Sequence, residues 1–273
     1  MEPAIDRDFP SRAGYALVTG GAARLGEAIV RRLAAEGRRV AIHYRHSSTK
    51  AVALVRELKR EGQRAIAVGC DLTHSAALPE IFAKANAALG FCSLLVNSAA
   101  IFEYDDVADI DEESMDEHYA ANLRAPVLLA RHFAEQLPKD AKGLIVNLLD
   151  QKVFNLNPDF LSYTIMKSAL ASATELLAMA LAPRIRVCGV APGLSLRSGN
   201  QTDKGFADAH AKTPLGFGSV PDDIAEAVSF IARVPSMTGS IVTVEGGQSL
   251  VRRTRDVMFS YGLAPGAPGT EEP

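Results

Sequence analysis

Within "LLDQKVFNLNPDFLSYTIMK", residues 148–167, three side chains have the types and spacing for acid–base chemistry: Asp150, Tyr163 and Lys167. Tyr163 and Lys167 stand four places apart, so on a helix they share one face. There a cation favours the phenolate, and the two can form a proton-transfer pair. Asp150 lies thirteen residues upstream of Tyr163. An ionised carboxylate accepts hydrogen bonds but donates none, and it repels a developing alkoxide. It makes ordinary ketone reduction awkward. It suits a substrate that presents N–H groups or a ring nitrogen needing a proton.

Apolar runs alternating with amphipathic stretches must position these residues. Strands are predicted at 15–19, 39–44, 64–69, 93–97, 143–149, 184–190 and 240–245. The runs are short, rich in Val, Ile and Leu, and continuous, as in a parallel sheet covered on both faces. Helices at 24–36, 49–61 and 75–89 each end at a glycine: Gly37, Gly62 and Gly90. The alternation predicts one doubly wound α/β domain over 14–250. A flexible N-terminus (1–13) and a partly disordered C-terminal tail (251–273) are expected to flank it, the tail being rich in Pro, Gly and acids. Residues 160–182 read as a helix whose formal charges are Lys167 and Glu175 alone. A helix so apolar is expected to be covered on two sides, by the sheet and by a second subunit. Residues 191–220 are too long for a plain connector and read as a lid.

Composition narrows the function classes. The 273 residues suffice for one large domain, and 48% hydrophobic with 22% charged residues is ordinary for a soluble globular protein. A formal charge of −3 gives no broad attraction to nucleic acid or anionic membranes. Cys70, Cys92 and Cys188 are scattered and odd in number, which fits a reducing cytoplasm rather than a disulfide framework. His43 and His46 lack further ligands at zinc spacing, so no metal is expected. The N-terminus is acidic without an apolar core, unlike a signal peptide, and no uninterrupted apolar run reaches the length of a membrane span.

"TGGAARLG" (19–26) joins the first strand to the first helix, where helix amides and the helix dipole favour an anion. The next strand ends in "HYRHSS" (43–48), which has no acid of the kind that holds the ribose hydroxyls of NAD. Arg45, His46, Ser47 and Ser48, with Arg24 reaching over, can instead hold a 2′-phosphate. That favours NADPH; the alternative is a solvated basic turn.

The glycine turn resembles that of the short-chain dehydrogenase/reductase family, with Arg24 in place of the middle glycine. Further matches follow in order: "CDLT" (70–73), "NSAA" (97–100), "NLRAP" (122–126), "YTIMK" (163–167), "APG" (191–193) and "TGSIVTVEGG" (238–247). The resemblance implies a seven-stranded Rossmann-like sheet and a homotetramer. It implies that Tyr163 donates the proton, that Lys167 binds the nicotinamide ribose and lowers the tyrosine's pKa, and that Asn122 serves a proton relay. The cofactor-binding positions it implies are Gly20, Arg24, Leu25, Gly26, His43, Tyr44, Arg45, His46, Ser47, Asp71, Leu72, Asn97, Ser98, Ala99, Lys167, Pro192, Gly193 and Ser195.

Where the family normally has a serine, this chain has Asp150. The pteridine reductase branch carries an aspartate there, an arginine in the glycine turn and a His-Tyr-Arg-like segment after the second strand, and "PGLS" (192–195) is similar to its lid entrance. Phe102 falls where that branch stacks a phenylalanine on the pterin; the alternative is a plain core aromatic. Phe160 and Leu194 join Phe102, Asp150 and Tyr163 as implied substrate contacts. Ser98 replaces the family's usual asparagine, and Ala100 a ligand-contacting serine of trypanosomatid-type enzymes. The expected activity is NADPH-dependent reduction of a dihydropterin or dihydrofolate. The alternatives are a reductase of another carbonyl or imine and a non-catalytic NADPH-binding regulator.

Overall fold

A computed structural model describes residues 9–197 and 201–260. Its seven strands are β1 (Tyr15–Val18), β2 (Val40–Tyr44), β3 (Ala65–Gly69), β4 (Cys92–Asn97), β5 (Gly143–Leu148), β6 (Ile185–Pro192) and β7 (Ile241–Val244). They form one parallel sheet in the order β3-β2-β1-β4-β5-β6-β7. Successive strand residues enter opposite cores: Ala16, Val18 and Ile42 on one face, Tyr15, Leu17 and Ala41 on the other. Burial on both faces is why the strands read as unbroken apolar runs.

The helices are α1 (Arg24–Ala35), α2 (Ser48–Arg60), α3 (Leu78–Leu89), α4 (Glu112–Tyr119), α5 (Ala125–Gln136), α6 (Leu161–Leu181), α7 (Asp203–Ala211), α8 (Pro221–Arg233) and α9 (Val257–Ser260). Apolar residues of α1, α2 and α8 close the first core; those of α3, α5 and α6 close the second. Gly37, Gly62 and Gly90 take φ of +82°, +82° and +89°, the left-handed stop that glycine supplies most cheaply. The helix expected from residue 75 begins as a separate 3₁₀ turn, Ser75–Ala77. Pro79 in the first turn of α3 marks the true α-helical start, since proline needs no intrahelical N–H partner there. Between α4 and α5 the chain winds as a π turn, Ala120–Arg124, a widening that occurs often at functional sites.

Among the described residues α6 alone is long and apolar enough to cross a membrane by length and composition. It packs instead against β6 and α5 and buries Tyr163, Met166, Lys167 and Leu170 within the domain. Much of the expected flexible termini, residues 1–8 and 261–273, lies outside the described residues, as do 198–200 of the lid. Residues next to the undescribed termini contact the domain. Ser11 donates its N–H to Lys142 O at 3.0 Å, and its own carbonyl accepts from Ser93 Oγ at 2.7 Å. In the C-terminal segment, Asp256, Val257 and Met258 are buried. The segment expected to act as a lid contains α7.

Candidate active site

Strand order reverses between β1 and β4, which opens a crevice at their carboxyl ends, the usual ligand position in such sheets. Thr19, just past β1, ties the crevice floor together: its Oγ1 accepts the N–H groups of Ser98 and Ala99, each at 3.0 Å. The crevice holds a cavity of about 530 Å³ running from Gly20 to Met258.

The nucleotide end is built for an anion. Ala23 caps α1 without a side-chain hydrogen bond, and the helix's first turn borders the cavity. A Cβ on Gly26 would sit 2.3 Å from Gly20 O, so only glycine permits this turn. His43 braces it from below: Nδ1 accepts the Gly20 N–H at 3.2 Å, and Nε2 donates to Cys70 O at 3.0 Å. Burial lowers the His43 pKa to about 4, so the ring is neutral and its tautomer fixed by its partners. At the rim, Arg45 donates through Nε to His46 Nε2 at 2.6 Å and stands 4.0 Å from Asp71 Oδ2. Burial opposes charge on Asp71, yet two hydrogen bonds from Thr73, with Arg45 beyond, hold its carboxyl below the usual range. Arg24 bends over the cavity with φ +54° and donates to Arg197 O in the lid at 3.2 Å. An anionic dinucleotide fits these residues.

At the other end Asp150 caps a 3₁₀ turn, Gln151–Val153, its Oδ1 accepting the Lys152 N–H at 2.9 Å. Its Oδ2 accepts the Tyr163 hydroxyl at 3.0 Å. Burial raises the Asp150 pKa, with Asp256 adding to the rise and Lys152 opposing it. Burial and then the Asp150 carboxylate push Tyr163 well above its usual value. The expected lowering of the tyrosine by Lys167 is not what this geometry gives. Lys167 Nζ sits 5.6 Å from the Tyr163 ring centroid and donates to Leu148 O at 2.7 Å. Burial lowers Lys167 itself to about 8. The stable arrangement is a neutral phenol donating to a carboxylate, with a cation beneath.

Phe102 forms an aromatic wall beside this pair. Its ring stacks on Phe160 at 4.2 Å and meets Tyr163 edge-on at 4.7 Å, so one of its faces is already covered. Phe160 adopts φ +54°, which costs an L-residue about 1–2 kcal/mol. Burying its ring contributes about 1.5–3 kcal/mol, so packing outweighs the strain. Asn122, in the π turn, clamps the segment leading to Phe102: it accepts the Ile101 N–H at 2.8 Å and donates to Ile101 O at 2.9 Å.

Of the residues read from the sequence, the structure brings Gly20, Arg24, Leu25, Gly26, His43, Arg45, Asp71, Leu72, Ser98, Ala99, Phe102, Asp150, Tyr163, Pro192, Gly193, Leu194 and Ser195 to the cavity. Others stand behind it. Asn97 points across the sheet and donates to Asn147 Oδ1 at 2.8 Å. Tyr44 packs on Gly69, Ser47 caps α2, and His46 partners Arg45. Asn122, Phe160 and Lys167 lie outside the cavity lining and contact Ile101, Phe102 and Leu148 O respectively. Sequence reasoning missed Gln248, whose Oε1 accepts the Leu194 N–H at 3.1 Å, and also Lys152, Asp256 and Met258. Gln248 directly follows the "TGSIVTVEGG" motif, a position that could have drawn notice; the other three carry no motif.

Comparison with known proteins matches this architecture. The family model described as short chain dehydrogenase matches residues 14–204. The FolM alternative dihydrofolate reductase 1 of Brucella suis, crystallised in complex with NADP, is 40% identical with a TM-score of 0.86, over 89% of this chain and 98% of that one. A Bacillus subtilis (strain 168) protein, uncharacterized oxidoreductase YjdA, is 34% identical over 87% of this chain and 97% of its own. Pteridine reductase 1 of Leishmania tarentolae is 30% identical, over 88% of this chain and 98% of its own length. With the family's turn, its Tyr-x-x-x-Lys helix and its seven-stranded sheet all in place, this chain belongs to the short-chain dehydrogenase family.

Proposed function

We propose that this protein is an NADPH-dependent reductase of dihydropterins, with dihydrofolate as a related substrate. The observation that carries the reading is the hydrogen bond from Tyr163 to Asp150 at 3.0 Å, lining one cavity with the aromatic Phe102. Burial raises the Asp150 pKa, so this carboxyl holds a proton more readily than an exposed one and can pass it on. Asp150 delivers that proton to a ring nitrogen or accepts the ligand's amino hydrogens. Tyr163 orients Oδ2 by donating to it. Phe102 offers its remaining face to a flat heterocycle.

NADPH, when bound, would supply the hydride for the ring carbon next to that nitrogen. The first-turn amides of α1 would hold its pyrophosphate, Arg45 with Arg24 its 2′-phosphate, and Asp71 its adenine. The neighbouring structure with NADP, FolM, and the pteridine reductase likeness support this reading. A homotetramer acting in the cytoplasm is part of the proposal; Cys70, Cys92 and Cys188 are unpaired, as a reducing compartment requires.

A second reading has one observation in its favour. With its pKa raised, a protonated Asp150 regains a donor and can serve a carbonyl or imine. The two are separated by following NADPH absorbance with dihydrobiopterin, dihydromonapterin, dihydrofolate and a ketone panel. Turnover of pterins but not ketones is expected; turnover confined to ketones would replace the first reading with the second.

A further inference from the structure

We propose that the buried ion pair between Lys152 and Asp256 is a positioning device for the substrate end of the site. It straps the C-terminal segment 255–259 across the cavity and balances the charge beside Asp150. The inference rests on Asp150 being the group that handles the substrate's proton, and it adds the device that sets that group.

Lys152 makes three connections at once. Its backbone N–H holds Asp150 Oδ1 at 2.9 Å. Its ammonium, 2% exposed, donates to Asp256 Oδ2 at 2.8 Å and to Asn157 Oδ1 at 2.7 Å. It also lies 5.6 Å from the centroid of the Phe160 ring, which backs Phe102. Asp256 is itself fixed: its Oδ1 accepts the Met258 N–H at 2.9 Å, and its own N–H donates to Asp159 Oδ2 at 2.5 Å. Arg255 Nε reaches both oxygens of Asp159, at 2.9 and 3.1 Å. Lys152, Asp256, Val257 and Met258 line the same cavity as Asp150 and Tyr163.

Packing alone would not require charge here. A buried ion pair is often matched in stability by well-packed apolar residues, so its presence points to what charge does nearby. Four ionisable groups surround Asp150: Lys152 from its own turn, Tyr163 and Lys167 from α6, and Asp256 from the C-terminal segment. The Asp159–Arg255 pair lies behind Asp256. Removing the lysine charge leaves Asp150 beside an uncompensated anion; removing the Asp256 charge leaves it beside an uncompensated cation. These changes must move the Asp150 proton in opposite directions.

The test titrates the Asp150 carboxyl by difference infrared spectroscopy, its band assigned as the one lost in Asp150→Asn. Lys152→Met is expected to raise the Asp150 midpoint and Asp256→Asn to lower it, each by about one pH unit. Lys152→Arg, which keeps the charge, is expected to restore it. Should Lys152→Met fail to fold, Asp256→Asn and Lys152→Arg decide the matter alone. No shift in Asp256→Asn, or shifts of the same sign in both charge-removing variants, would overturn the proposal. The titration needs no substrate. A wild type that turns over no pterin would therefore sink the functional reading and leave this measurement intact.

Discussion

The Tyr163 hydroxyl donates to Asp150 Oδ2 at 3.0 Å, so the phenol is directed at a carboxylate and away from Lys167, one helical turn further on. The carboxylate is the acceptor, and both groups are driven toward their protonated forms by burial. In the proposed reaction the two residues act as a unit, with Lys167 held below by Leu148 O.

Cofactor choice is expected to turn on Arg45, which stands on the cavity rim with no acid among residues 43–48. NADPH is expected to bind more tightly than NADH. Arg45→Ala is expected to weaken NADPH by roughly 1.5–3 kcal/mol, the value of one charge-assisted hydrogen bond, with little effect on NADH. Fluorescence titration of both cofactors checks this. Equal dissociation constants in the wild type would contradict it.

Acid should loosen the glycine turn through His43. Its pKa is about 4 in the folded chain against 6.5 as a free group, so between those values the unfolded state binds more protons. Stability then rises with pH, and falls as pH drops through that window. The shift corresponds to about 3 kcal/mol, fully lost only below pH 4. Thermal melts from pH 7 to pH 4 are expected to fall less steeply for His43→Gln than for wild type. Parallel curves would remove His43 from this role.

The fold was legible because its parallel strands are buried on both faces, which leaves short, continuous apolar runs such as Leu94–Val96 that length and composition identify. α4 gave no such signal: "EESMDEHY" buries only His118. Asn97 was legible as a strand end but not in its direction. It is in register with Asn147, and its amide serves the sheet. Lys152 and Asp256 were invisible for another reason. They meet across 104 residues of sequence, and a tail rich in Pro and Gly gives no hint that its first residues return to the site.

Subunit contact is expected along α6. Ile165, Leu176 and Met179 lie on one face of that helix and are exposed, Leu176 by 61% and Met179 by 64%. An apolar stripe of this kind suits a partner helix. Light scattering at micromolar concentration is expected to give an oligomer, and Leu176→Glu with Met179→Glu a smaller species. A wild type that is monomeric there would contradict the interface.

The role of Asp150 is tested most directly by NADPH oxidation with dihydrobiopterin in wild type, Asp150→Asn and Asp150→Ser. Asparagine keeps the shape and cannot deliver a proton as an acid; serine restores the hydroxyl usual in the family. Both variants are expected to bind NADPH normally and to lose about 10²–10⁴-fold in pterin turnover, the range of a general acid–base group. The serine variant is also expected to gain weak ketone reduction beside Tyr163. Wild-type pterin turnover surviving unchanged in both variants would contradict the assignment of proton handling to this carboxylate.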